Sequence, residues 1–473
     1  MKLGSKDNLQ SGSHSLYFAM FGFFISSIVF YPGFMSPDSL TQYASSKALV
    51  FNDWHPPIMS WAWSILNLFF RGPEGLLYFH LSLLWLGLYI LFLRYRDNKY
   101  SWLILIIGFL PWVINFSGVL WKDVGMAFSL LLLAGIGVSE RTPTRVVLAL
   151  MLLFYAVNLR HNAIFAAIPM VAFIVGRWFS SASKFKIIAL TFATLVCIVA
   201  LGNTFNYEVL KSVKSNPSNY MMVDDLSYLS LINKKSLIPG IPFSDIRDCA
   251  AQEVGQTKLI GRDFCLSKKE SYIENNPFKV DLKTIWVTQV ARAPIDYANY
   301  RLSAFAYLLR SPDTSPFYIW HPGIDENKME IKQGRNGATI LVEWLVKKTA
   351  ETIPFVFKPY WWLWLSLMLL LLTFSVRRNA STSTIQALLI SSIFYVLGYV
   401  PATPMADFRY VYWSVIATTL AAVLFFLNRH SFVEKQIRKN ISLALIAAVI
   451  TIVLFNLNKI FTVDISSALM ASV

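Results

Sequence analysis

The chain has 473 residues, of which 55% are hydrophobic and only 15% charged, with a mean hydropathy of +0.50. Soluble domains carry about a quarter charged residues, so this polar deficit excludes a soluble multidomain enzyme, a disordered chain and a disulfide scaffold, and implies a polytopic membrane protein. The net charge of +15, from 42 basic and 27 acidic residues, raises a separate question of a nucleic-acid partner, which the placement of the charges answers below.

Apolar runs follow one another at 16–35, 76–93, 101–118, 124–138, 145–158, 162–176, 187–205, 359–376, 384–401, 409–427 and 440–459. A bilayer core of about 30 Å takes about 20 helical residues, so each run is a candidate span, with 124–138, 145–158 and 162–176 short for the task. The first run is long and lacks a small-residue cleavage site, so it reads as an uncleaved span. Residues 206–358 are polar and read as a domain outside the lipid.

Orientation follows from the short-loop cations. With the N-terminus in the cytoplasm, Lys2, Lys6, Arg94, Arg96, Lys99, Arg141, Arg145, Arg177, Lys184, Lys186, Arg377, Arg378, Arg429, Lys435, Arg438 and Lys439 fall inside. Lys47, Arg71, Lys122, Arg160, Arg409 and Lys459 fall opposite. The 206–358 domain holds 20 cations against 17 acids, a balance of only +3. The basicity is thus a topology signal, and no nucleic-acid partner is expected.

The run Trp54–Phe70 is apolar enough to cross, but counting it as a span would invert every later loop. It reads instead as an interfacial or re-entrant element within an outer loop, 36–75, in keeping with Pro56, Pro57, Trp54, Trp61 and Trp63. Eleven spans result, in three parts: a transmembrane module 1–205 containing the loop 36–75, an outer domain 206–358, and a second transmembrane module 359–473. Cys197 lies in mid-span, where a buried hydrophobe is the plain reading. Cys249 and Cys265 both fall in the outer domain, where an oxidising compartment permits a bond that spacing alone does not establish. In Lys283–Arg310, Ile285, Val287, Val290, Ala291 and Ile295 form a helical stripe expected to pack under the spans. Pro312, Pro316, Pro322 and Gly323 mark a loop expected to gate the acceptor.

Ionisable side chains close to lipid are costly and therefore candidates for function. They are Asp38, Asp53, His55, Lys122, Asp123, Arg160, His161, Asp407 and Arg409, all on the outer side of this topology. All but the two histidines have a plainer alternative. Asp38 and Asp53 can be helix caps, Lys122–Asp123 a local ion pair, Arg160 a snorkelling interfacial side chain and Asp407–Arg409 a structural bridge. Together they suit displacement of a lipid-linked phosphate, in which a carboxylate takes the proton of an attacking hydroxyl and cations neutralise the leaving phosphate. A phosphate monoester carries less charge than a pyrophosphate, so no cofactor is expected and a divalent metal is not strictly required.

The acid after the first span (Asp38), the stretch Asp53-Trp54-His55-Pro56-Pro57-Ile58 and the element Asp407-Phe408-Arg409-Tyr410 resemble the GT-C class of membrane glycosyltransferases. The stretch is similar to that class's juxtamembrane HPPL or KPPL signature. More narrowly, the layout resembles the serotype-converting O-antigen glucosyltransferases of Gram-negative bacteria and their phages. The resemblance implies a helical, GT-C-like fold with a mainly helical periplasmic domain that binds a glycan acceptor. It also implies a polyprenyl-phosphate-linked sugar donor, a site at the periplasmic face of the inner membrane, and inversion at the anomeric carbon. It casts Asp38 as base and Asp53 as a support or acceptor-orienting group, while the cations, read from their own positions, give Lys122, Arg160, His161 and Arg409 as ligands of the donor phosphate. His55, Asp123, Asp407 and Tyr410 stand in support. One departure is that many members have two adjacent acids after the first span, whereas Ser39 follows Asp38. Rival readings are a transporter of lipid-linked sugar, a GT-C enzyme acting on lipid A or on protein, and an O-antigen polymerase or ligase.

Overall fold

The computed structural model describes residues 6–253, 265–310, 318–332, 334–374, 379–404, 406–429 and 441–461. The expectations placed on Lys2, Pro312, Pro316, Arg377, Arg378, Lys435, Arg438 and Lys439 lie outside these residues. The described chain is helical, and its only β pairings are isolated bridges. Four helices are long and apolar enough to cross a membrane: Glu74–Tyr95, Lys184–Val209, Ala380–Leu397 and Phe408–Leu427. Five further apolar helices are shorter, His14–Phe30, Pro143–Leu159, Ala163–Trp178, Pro359–Thr373 and Leu443–Phe455. The chain is a helical membrane protein.

The elements that position the site are α1 (Lys6–Phe30), α2 (Pro37–Ala48), α3 (Pro57–Leu66), α4 (Glu74–Tyr95), α5 (Lys122–Gly137), α6 (Pro143–Leu159), α7 (Ala163–Trp178) and α8 (Lys184–Thr204). Helix α3 has ten residues, about 15 Å, too short to cross the bilayer. Pro57 occupies its first turn, where the missing N–H costs nothing, and its buried Trp63 packs on Tyr43 of α2 with ring centroids 4.9 Å apart.

Helices α4 and α5 run parallel. A Cβ on Gly125 would meet His80, one on Gly87 the backbone of Leu132, and one on Gly135 the carbonyl of Gly87, so residues pair in the same order along both helices. The small residues let the two backbones approach closely, as membrane interfaces favour. A parallel pair requires the chain between to return, and the expected span at 101–118 makes that return without forming one helix. It is no continuous helix but two four-residue pieces, Leu103–Ile106 and Pro111–Ile114, around a 3-10 turn at Ile107–Phe109. Pro111 lacks the N–H needed to continue a helix, and Leu110 before it is extended. Broken backbone at such depth is tolerated because protein covers it: Ile107, Gly108 and Val113 to Trp121 are buried, and Phe109 to Trp112 between them are half-buried. Trp112 Nε1 donates to Thr419 Oγ1 at 3.2 Å, and Asn115 Nδ2 to the Ile319 carbonyl at 3.0 Å.

The later helices α9 (Asn219–Asn233), α10 (Phe243–Glu253), α11 (Lys283–Arg292) and α12 (Pro294–Leu309) belong to the polar region. A core of its own runs from Met222 to Ala304, with Cys249 and Cys265 joined in a disulfide, their Cα atoms 5.5 Å apart. Ile285 and Val290 of α11 pack on that core, while Val287 and Ile295 are exposed, so the stripe does not pack under the spans as expected. From Phe305 onward the polar region joins the transmembrane core through Leu309, Trp320, Val346 and Phe357.

Helices α13 (Gly337–Thr352), α14 (Pro359–Thr373), α15 (Ala380–Leu397), α16 (Tyr412–Leu427) and α17 (Ile441–Phe455) follow. Hydroxyls link α14, α15 and α16 at depth: Ser366 Oγ lies 2.7 Å from Ser392 Oγ and 2.5 Å from Thr418 Oγ1. Such bonds hold apolar helices together where no water competes.

The bundle has two distinct ends. At one, Asn98 Nδ2 donates to the Leu427 carbonyl, Trp178 Nε1 to the Ser139 carbonyl, and Arg429 lies over Tyr100, with Arg94, Arg96 and Arg145 close by. The other end gathers the starts of α5, α7 and α16 and the ends of α1, α6, α8 and α15, and it carries the acidic and basic candidates together.

Candidate functional site

The first turn of α2 is fixed by its neighbours. Residues 34–36 lie between two loops: Phe34 N donates to the Gly118 carbonyl and Met35 N to the Gly323 carbonyl, both at 2.9 Å. Trp121 Nε1 donates to Ser36 Oγ at 2.8 Å, and Ser39 Oγ to the Leu120 carbonyl at 2.8 Å. Ser36 occupies the N-cap position, so Asp38 is not the cap but a first-turn carboxylate at the positive end of the helix dipole. Its carboxylate is 41% exposed and lies 3.8 Å from Arg409 Nη1.

Arg409 is almost enclosed. Its Nε is 3.0 Å from Asp407 Oδ2, and its guanidinium lies over the rings of Trp121 and Tyr410 at 4.6 and 5.3 Å. Asp407 caps the 3-10 turn Phe408–Val411 by accepting the Arg409 N–H at 3.0 Å. The bridge between Asp407 and Arg409 is therefore real, and Arg409 reaches Asp38 as well.

The sequence pairing of Lys122 with Asp123 is corrected. Asp123, 1% exposed, pairs with Arg160 at 2.9 Å, which leaves Lys122 facing the cleft. Arg160 is not a snorkelling side chain: its Nη2 donates to Tyr399 Oη at 3.0 Å, and its guanidinium lies over Tyr410 at 4.5 Å. Tyr410 is thus shared between Arg160 and Arg409, and it joins the two arginines into one aromatic-lined cationic site.

Asp53 is no helix cap either, since Pro56 holds that position on α3. It accepts Tyr207 Oη at 2.8 Å and the Ser215 N–H at 2.5 Å, and this ties the loop to the start of the polar region. A π turn, Phe205–Val209, at the end of α8 re-aims the chain there, and Asn203, Asn206 and Tyr207 join the same cleft. Asp53 lines that cleft while Asp38 stands beside Arg409 and His55, so the two carboxylates do not converge on one mouth.

The cleft holds about 670 Å³. Lys122, Arg160 and His161 line one wall, and Asp224, Arg301 and Thr403 another. Reading 206–358 as a solvated domain overlooked Asp224 and Arg301. The signal was present as two adjacent acids inside an apolar run, Met222-Val223-Asp224-Asp225-Leu226. Arg301 donates from Nε to Asp225 at 2.5 Å and from Nη2 to Asp224 at 2.8 Å, and Trp286 Nε1 donates to Asp225 at 2.7 Å.

Where it is described, the loop expected to gate the acceptor packs two of its side chains inward and leaves Tyr318 and Pro322 exposed. Trp320 and His321 are buried against Phe30, Phe34 and Trp121, and Gly323 N donates to His321 Nδ1 at 3.2 Å. Burial holds the imidazoles of His55 and His321 down to about 4, with Lys122 and then Arg409 adding to the effect on His55 and Arg409 to that on His321. A depressed histidine stabilises the fold above its unfolded value of 6.5, and that contribution is lost as pH falls toward 4, because only the unfolded chain takes up the proton. The thermal midpoint in detergent is therefore expected to drop between pH 6.5 and about 4, and His55→Gln with His321→Gln to flatten the drop. An equally steep drop in that double variant would assign it to other groups.

A second cavity of about 1480 Å³ runs down the bundle between α3, α4, α6 and α8. Its wall is apolar, from Ile58, Trp61 and Phe205 at the site end to Arg94, Arg96 and Arg145 at the other. Cys197 lines it and is exposed, so it is not the buried residue expected of a mid-span cysteine. Cleft and groove adjoin across three elements: Pro57 and Ile58 of α3, Leu159 and Tyr155 of α6, and Asn203 and Leu201 of α8 line one and the other. No protein-family model matches the chain, and no curated protein matches it in sequence.

Proposed function

We propose that this chain is an inverting glycosyltransferase of GT-C type that moves a hexose from a polyprenyl phosphate onto a glycan. The observation that carries the reading is a cationic cleft that adjoins an apolar groove, the groove following the helices through the depth of the bundle. A prenyl phosphate has the same two parts. The groove takes the chain, and Arg160, Lys122 and Arg409 take the phosphate, with arginine forks matched to its oxygens.

In this mechanism Asp38 removes the proton of an acceptor hydroxyl. That oxygen bonds to the anomeric carbon from the face opposite the phosphate, and the bond from carbon to phosphate oxygen breaks. The prenyl phosphate leaves with its negative charge, which the cations stabilise. His55 is neutral at pH 7 and adds no competing positive charge beside Asp38. Asp224 and Arg301 form the acceptor-side wall. The membrane placement that fits is eleven crossings, the broken segment 101–118 counted as one, with the N-terminus in the cytoplasm. The site then lies at the periplasmic face of a bacterial inner membrane, with an O-antigen or other lipopolysaccharide glycan as acceptor and glucose as the hexose.

The rival reading, a transporter of the same lipid-linked sugar, draws on the broken helix at 103–114, since transporters place broken helices at their binding sites. The two readings separate on products. Cells expressing the chain are expected to add one hexose mass per repeat to their lipopolysaccharide O-chains, read by mass spectrometry. Unchanged O-chains alongside redistribution of a lipid-linked sugar between leaflets would favour transport.

A further inference from the structure

We infer that α13 is an in-plane membrane helix that docks on the lipid leaflet at the site end, with the bilayer itself as the partner of its exposed apolar face. The polar region 206–358 was expected to stand clear of lipid, yet Ile340, Leu341, Trp344 and Leu345 on α13 are 55, 63, 59 and 39% exposed. At this helical spacing they share one face. The opposite face is satisfied: Thr339 and Val346 are buried, and the helix packs on α1 and on the piece Pro111–Ile114.

Depth is set by both ends of the helix. Thr339 Oγ1 donates to the Val29 carbonyl at 2.7 Å and Asn336 Nδ2 to the Ile28 carbonyl at 2.8 Å, which places the N-terminus at the last turn of α1. The C-terminus leads through Pro354–Phe357 into Pro359, the first residue of α14, at the same end of the bundle. A sixteen-residue helix of about 24 Å that starts and finishes at the ends of two apolar helices lies along the surface and not across it.

Continuity identifies the occupant. On α1, Tyr17, Phe21, Phe24 and Ile28, with Tyr31 just beyond, form a stripe more than 50% exposed, at the spacing of a lipid-facing helix. This stripe runs into the α13 start at Ile28. On α13 the exposed apolar residues run from Ile340 to Leu345, whereas Lys347, Lys348 and Glu351 are exposed on the last turns. The helix therefore lies in the interface with a slight tilt, its first turns toward the acyl chains and its charged last turns at the headgroups.

Single cysteines at 341, 345, 347 and 351 in a full-length Cys197→Ser chain test this. Cys249 and Cys265 are bonded and take no label. The nitroxide-labelled proteins are reconstituted in vesicles of phosphatidylethanolamine and phosphatidylglycerol, and accessibility to oxygen is compared with that to a water-soluble nickel chelate. The expected result is a change of sign along the helix, with oxygen dominating at 341 and 345 and nickel at 347 and 351. Nickel dominating at 341 and 345 would overturn the proposal by placing the face in water. Exclusion of both reagents there would overturn it by placing protein, such as a second copy of the chain, on the face.

Discussion

Asp38→Asn is expected to lower hexose transfer by about 10²–10⁴-fold, the range set by loss of a positioned general base. The substitution keeps the size of the side chain and removes its capacity to accept a proton. Little else depends on the carboxylate. It is 41% exposed, it does not cap α2, and among the described residues its ion pair is the long one to Arg409 at 3.8 Å. Arg409 retains Asp407 at 3.0 Å in the variant, so folding is expected to change by less than about 1 kcal/mol. The check is the transfer rate with a purified prenyl-phosphate hexose, normalised to folded protein. A rate within a few fold of the parent would remove Asp38 from the chemistry and turn attention to Asp53 and Asp224 on the cleft.

Arg160→Ala is expected to have the largest effect on stability. It strands the carboxylate of Asp123, 1% exposed, and breaking one side of such a pair costs about 3–5 kcal/mol. Tyr399 loses the Arg160 donor as well and keeps Tyr395. Adding Asp123→Asn removes the uncompensated charge and is expected to recover much of the loss in unfolding midpoint. Donor affinity should not recover with it, because the guanidinium that would meet the phosphate is still missing. Recovery of both stability and donor KM in the double variant would make Arg160 a structural residue only. A loss below about 1 kcal/mol in the single variant would mean that Asp123 is held by other groups.

How much of this was legible in advance depended on the range of the interaction concerned. The membrane class, the bundle with two unlike ends and the clustering of Asp38, Lys122, Arg160 and Arg409 at one of them were readable residue by residue. Bilayer thickness sets run length, and the cost of charge in lipid confines cations to the ends. The segment that holds α3 was also readable as an interfacial or re-entrant element and not a span, from the charge of the loops that follow and from its prolines and tryptophans, whereas its length of ten residues was not.

The tertiary structure decided who pairs with whom. Asp123 chooses Arg160 over its neighbour Lys122, because successive residues at a helix start point apart while the turn between α6 and α7 brings a fork to hydrogen-bonding range. Tyr399 reaches Arg160 across 239 residues, and Arg301 meets Asp224 across 77, separations that no local pattern encodes. Hydropathy marked 101–118 as a span, since burial by protein and burial by lipid select the same apolar residues. Only the parallel packing of α4 on α5 shows that this stretch is enclosed by protein, where a proline break is tolerated. Composition placed the chain in the membrane because transfer from water is a sum over residues, whereas the site required contacts, which belong to pairs.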